Sequence, residues 1–196
     1  MKKKSLALVL ALAMIVVCVV GGTLAWLIAT TGSVTNTFTY GDINIKLEET
    51  DATVSADGSA TKEFKMIPGY TITKDPKVTV KAGSEKCYLF VKVEKSANFD
   101  NFMTYDMAAD WTALDGVNGV YYRVVDTADM GTAYSVLAND KVTVKDTVTK
   151  ADMDGLKANV ATQPTLTFTA YACQYNNSNG THFEAAAARA KVNPTT

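Results

Sequence analysis

Few side chains in this 196-residue chain are equipped for catalysis: one histidine, His182, three cysteines and twenty carboxylates. A lone histidine excludes, within one chain, any zinc site that needs two, and no His-Glu-x-x-His stretch is present. There is no Gly-x-Ser-x-Gly elbow and no phosphate-cradling glycine loop. Cys87 and Cys173 lie in apolar, strand-like runs without a nearby cation to activate a thiolate. His182 reads as a surface residue in the first turn of a C-terminal helix.

Oxygen ligands for calcium are conceivable where carboxylates gather: Asp106, Asp110 and Asp115, Asp126 with Asp129, Asp152 with Asp154. None has the spacing of an EF-hand loop, so they read as solvated loop carboxylates, and no metal or other cofactor is expected. Trp111 and the pair Tyr121-Tyr122 have the chemistry of a ligand platform, but core packing in a sandwich is the expected use.

The elements that must carry these residues are mostly strands. Ile43, Ile45 and Leu47 alternate with Asn44, Lys46 and Glu48, and Lys77-Val-Thr-Val-Lys81 repeats the period of two. Further strands are expected at residues 61–67, 71–73, 87–94, 120–125, 141–145 and 165–174. Asp57-Gly58, Pro68-Gly69, Ala82-Gly83-Ser84 and Asn118-Gly119 supply the reversals. Many short strands with threonine inside and proline at the edges predict an all-β fold, an antiparallel sandwich with short helical insertions. Residues 98–109 read as a short helix or a loop. Thr149 to Asp152 reads as a helix start, with Gly155 ending it soon after. Thr181 and Glu184 form the pattern of a capping box ahead of Ala185, with Arg189 and Lys191 in the last turn of a short C-terminal helix.

The first 25 residues order themselves as an export signal: Lys2, Lys3 and Lys4, an apolar run from Leu6 to Val20, then Gly21-Gly-Thr-Leu-Ala25. Small side chains suit the shallow pockets of signal peptidase, which places the cut at Thr23-Leu24-Ala25, after Ala25. The competing reading is an uncleaved anchor, because about 20 apolar residues span a bilayer. Cys18 is preceded by Val17 rather than a small residue, which argues against lipid attachment. Removal of the signal takes three lysines with it and leaves 171 residues with 16 basic and 20 acidic side chains, about −4 in net charge. That length suits one domain, residues 41–196, behind an N-terminal segment, residues 26–40. A mildly acidic body lacks the basic patch that nucleic acid binding needs. Cys87 and Cys173, the pair left after the cut, permit one disulfide and serve equally well as free core residues.

Several segments in order carry a resemblance: Gly21-Gly-Thr-Leu-Ala-Trp-Leu27, Gly41-Asp-Ile-Asn-Ile-Lys-Leu47, Pro68-Gly69, Lys74-Asp-Pro-Lys-Val-Thr-Val80, Gly83-Ser84-Glu85 and Thr165-Leu-Thr-Phe-Thr-Ala-Tyr-Ala172. The chain resembles the camelysin and TasA-like family of Gram-positive bacteria, and its leader resembles those cut by a dedicated, endoplasmic-reticulum-like signal peptidase. The resemblance implies a jelly-roll-like sandwich, secreted to the cell surface or extracellular matrix, that polymerises into biofilm matrix fibres by donor-strand complementation. Each subunit would receive the mature N-terminal strand of a neighbour, here Trp26, Leu27 and Ile28 continuing through Val34 to Phe38, with accessory or anchoring proteins as further partners. An added strand satisfies an open sheet edge and fills a groove with alternate side chains. Camelysin-type relatives have been classed as metalloproteases, which the lone His182 argues against. A monomeric surface adhesin on the same sandwich is the remaining alternative.

Overall fold

The run Cys-Tyr-Leu-Phe-Val has no polar position to turn towards water, so the strand it forms has to be covered on both faces. In the computed structural model, of which residues 41–192 are described, that strand is the centre of the fold. Twelve strands are described: β1 (Ile45–Glu48), β2 (Thr53–Val54), β3 (Ala60–Thr61), β4 (Thr71–Thr73), β5 (Lys77–Val80), β6 (Cys87–Lys95), β7 (Met103–Thr104), β8 (Thr112–Ala113), β9 (Val120–Val125), β10 (Ala133–Ser135), β11 (Lys141–Val144) and β12 (Leu166–Gln174). Three α-helices join them: α1 (Phe99–Phe102), α2 (Lys150–Ala158) and α3 (Ala185–Lys191). All pairings are antiparallel, in sheets ordered β12-β6-β9-β8, β1-β5-β10, β4-β11-β7 and the hairpin β2-β3. The architecture is all-β and sandwich-like.

Strand parity then assigns the cores. Cys87, Leu89, Val91 and Val93 of β6 face Val78 and Val80 of β5, with Trp111, Val125 and Val136 closing the first core. Ile72, Val142 and Val144 from the second three-stranded sheet gather with Phe99, Met103, Leu137 and Val148 in a second core. The other face of β6 presents Tyr88 and Phe90 to Leu114, Val120, Tyr171, Cys173 and Ala188, so that α3 lies over the back of the large sheet. Phe90 and Tyr171 stack with ring centroids 5.2 Å apart. Each such aromatic contributes about 1.5–3 kcal/mol through buried area.

Turn chemistry follows the expected glycines, and Gly119 shows why. Its φ is +71°, and a Cβ there would lie 2.6 Å from the carbonyl oxygen of Val93, to whose amide Gly119 offers its own carbonyl at 2.7 Å. Only glycine fits so close an approach.

Some expectations are corrected. Thr149 and Asp152 do form a reciprocal capping box, but the helix runs through Gly155 to Ala158, because Gly155 is helical and Leu156 beyond it is buried. Thr181 and Glu184 form no capping box: Glu184 is the N-cap without a side-chain bond, and the Thr181 hydroxyl is held by Asn177 Nδ2 at 2.6 Å. His182 accordingly precedes the helix and bridges to Asn176. Of residues 98–109, read as a short helix or a loop, Phe99–Phe102 do form the short helix α1, but Met103–Thr104 form strand β7, and 105–109 belong to neither a helix nor a named strand. Of residues 61–67 only Thr61 joins a ladder.

Candidate functional site: an open sandwich edge

Two edges of the sandwich are treated differently. On the side of β10 the rim is sealed: the indole Nε1 of Trp111 donates to the carbonyl of Ser135 at 2.9 Å, and the Arg123 guanidinium lies 3.6 Å from the centroid of the Tyr134 ring. Trp111 is therefore a core residue, and Tyr121 and Tyr122 are half-buried on β9 beside it. This rim buries its aromatics among themselves.

The rim formed by β1 and β12 is open among the described residues. Among the described residues β1 pairs with β5 alone and β12 with β6 alone, and no ladder joins β1 to β12 although they run close together. Ile45 on β1, with Leu166, Phe168, Ala170 and Ala172 on β12, point into the first core yet stay only half-buried, and Leu47 is 36% exposed. By contrast Val78 and Val80 on β5, and Leu89 and Val91 on β6, have no exposure. A nine-residue strand such as β12 with a free edge is the kind of template that proteins cover or pair.

One end of this rim carries a buried charge pair. Lys74 Nζ lies 2.8 Å from Glu49 Oε2, and both side chains retain only 13% exposure. The same ammonium sits 5.3 Å from the Phe64 ring and 5.4 Å from the Phe168 ring. Glu49, just beyond β1, is thereby tied to Phe168 on β12 through one cation. Glu49 Oε1 is buried with no hydrogen-bond partner. Nothing in the spacing of Glu49 and Lys74 announces this pair, because the chain between them crosses a hairpin.

The remaining sequence-derived site residues fall as follows. Thr23, Leu24 and Ala25 at the cut, and Trp26, Leu27, Ile28, Val34 and Phe38 in the assembly segment, lie outside the described residues. Cys87 and Cys173 are free, and the permitted disulfide is not formed. Register explains it: Cys173 is opposite Tyr88 and Gln174 is opposite Cys87, so the two thiols sit on opposite faces of the large sheet. Burial pushes the Cys87 thiol up to about 11, with Cys173 a lesser contributor, and desolvation raises Cys173 as well. The thiolate is thus disfavoured at both. Native mature chain should leave both thiols unalkylated by iodoacetamide at pH 8, and urea-unfolded chain should take two labels by intact mass. A native chain that labels rapidly would refute the buried placement. An unfolded Cys87 ionises first, near pH 8.5, while the folded one keeps its proton to about pH 11. The stability it supplies is whole at neutral pH and declines as pH climbs through that interval.

His182 stacks on Tyr175 at 5.4 Å, and its Nε2 is 3.9 Å from Glu184 Oε1. Asp126 holds Lys86 at 2.8 Å and caps the following turn; hydrogen bonds from Lys86 and Thr127 keep its carboxyl below the usual carboxylate range. Asp152 serves the α2 cap and Asp154 pairs with Lys150. Among the described residues no three His, Cys, Asp or Glu side chains gather where they would hold a metal ion. Comparison with models of protein families, with curated proteins and with solved structures finds no match.

Proposed function

We propose that the chain is an exported structural protein, the subunit of an extracellular matrix fibre that assembles when the mature N-terminal segment of one copy pairs with the open rim of the next. The observation that carries this reading is the β1–β12 rim, where half-buried core side chains and a free nine-residue strand edge lie beside each other unpaired among the described residues. The sequence supplies a matching strand. Residues 26–40 contain no charged side chain and no proline, and six of the fifteen are threonine or valine. Such a segment can enter a groove without desolvating a charged side chain and can offer its main-chain amides to a partner.

Export supplies the control, because an uncut leader keeps the pairing segment tied to the signal. The jelly-roll topology, the biofilm setting and the cell-surface location belong to this same reading, supported by the ordered motifs shared with the matrix-fibre family. The extracellular form should begin at Trp26, which N-terminal sequencing checks. A secreted form that retains Lys2 to Lys4 would mean that the leader is an anchor. Negative-stain microscopy and sedimentation of the purified mature chain test the reading as a whole. Filaments are the expected result, and a chain that stays monomeric under all solution conditions would overturn it.

A further inference from the structure

Residues 61–67 carry the pattern of a strand and lack its ladder. Lys62, Phe64 and Met66 are half-buried while Glu63, Lys65 and Ile67 are exposed, the period-two signature of a chain lying flat on a core. Phe64 and Met66 pack against the second core, as do Leu166 and Phe168 from the start of β12. Yet after Thr61, which closes the β2-β3 hairpin, residues 62–67 have no strand partner among the described residues; the Ile67 carbonyl accepts from the Tyr70 amide, and bonds to Val144 begin only at Gly69 and Tyr70. A segment that packs one face and leaves its amides and carbonyls unpaired is incomplete by the accounting that governs strand backbones.

Its position ties it to the open rim. The Lys74 ammonium lies over Phe64 of this segment and over Phe168 of β12, at 5.3 and 5.4 Å from the two ring centroids. The Lys62 ammonium donates to the carbonyl of Thr50, just past β1, at 2.6 Å. The unpaired segment, the end of β1 and the beginning of β12 therefore meet at one end of the sandwich. Among the described residues two backbones there lack a partner, β12 along its outer edge and residues 62–67 along their length.

We infer that residues 62–67 and the free edge of β12 form the seat for the incoming segment, with residues 26–40 of a second copy as its occupant. This rests on the proposed fibre function and specifies where on the subunit the pairing occurs. The occupant is argued from chemistry. The seat is edged by the half-buried cations Lys62 and Lys74, with Lys65 exposed beside them, so a positively charged strand is disfavoured. Residues 26–40 bring no charged side chain, their one cation being the α-ammonium that the cut creates at Trp26, at the segment's end, and they have Val34 and Phe38 at spacing that puts both on one face of a strand. They also stand immediately before the described domain, so a chain of copies can propagate with each subunit giving one strand and taking one.

Two measurements decide it. Amide hydrogen exchange is followed by mass spectrometry on the mature chain as monomer and as fibre. Amides of residues 62–67 should exchange fast in the monomer and slow by at least about tenfold in the fibre, since pairing adds local protection. The second test is Glu63→Pro. A proline in a segment already outside any ladder costs the monomer little, whereas it removes a donor that a new ladder needs. The folded variant should form no fibres. If residues 62–67 stay fast in fibres, or if folded Glu63→Pro polymerises normally, the seat is elsewhere. Should Glu63→Pro fail to fold, the exchange measurement on the unmodified chain decides alone. A chain lacking residues 26–33 separates the levels: if that deletion abolishes fibres while residues 62–67 remain fast in wild-type fibres, assembly through the N-terminus stands and the seat does not.

Discussion

Removal of residues 26–33 from the mature chain should leave a folded domain that no longer forms fibres. The domain has its own means of folding: the three cores described are built from residues lying within Gly41–Thr196, which is a compact unit by itself. In the proposed donor Trp26, Leu27 and Ile28 would supply the apolar content next to the cut, and burying three such side chains is worth roughly 1.5–3 kcal/mol each. Ordering about eight residues costs ~1–2 kcal/mol apiece. On the proposed reading main-chain pairing has to tip this balance, so that a single exchange would be marginal and repetition along a fibre would make the assembly persist. Deleting those residues removes the three apolar anchors and more than half of the pairing segment, leaving Val34 and Phe38 as its only large apolar side chains besides Tyr40, and the expected effect is complete loss rather than slower growth. Sedimentation and circular dichroism of the two chains provide the comparison. A truncated chain that is folded and still polymerises refutes assembly through the N-terminus. An unfolded one assigns these residues to the domain's own core.

Long apolar and alternating runs were legible in the residues alone. β6, β9 and β12 fall where the pattern put them, because six to nine residues of period two, or of unbroken apolar character, leave little choice of face. β8 and β10, two and three residues long, have no period to read and exist because β9 and β5 offer them an edge. Residues 61–67 show the converse: the alternation is genuine, but a ladder needs a second backbone, which no local pattern guarantees. Glycine commonly ends helices, yet Gly155 lies inside one. Thr149 and Asp152 secure the start and Leu156 anchors the far side, so packing overrides propensity there. The thiols turned on parity, since a pairing of Cys173 with Tyr88 rather than with Cys87 places them back to back, and register is a tertiary property.

The Glu49–Lys74 pair was equally invisible, and it carries the largest expected effect on stability. Lys74→Met should lower unfolding stability by roughly 2–4 kcal/mol, somewhat under the roughly 3–5 kcal/mol for a fully buried pair, because each side chain keeps slight contact with water. Methionine keeps a long apolar side chain but removes the ammonium that lies over the Phe64 and Phe168 rings, a lesser loss. The larger cost arises from Glu49: Oε2 loses its 2.8 Å partner while Oε1 is already buried without one, which strands a carboxylate in a poorly solvated place. Adding Glu49→Leu removes that stranded charge, and the double variant should return to within about 1 kcal/mol of the parent. Urea unfolding of the four chains, read at constant m-value, gives the coupling directly. If Lys74→Met alone costs less than about 0.5 kcal/mol, the pair behaves as a screened surface pair and does not hold the end of β1 against β12.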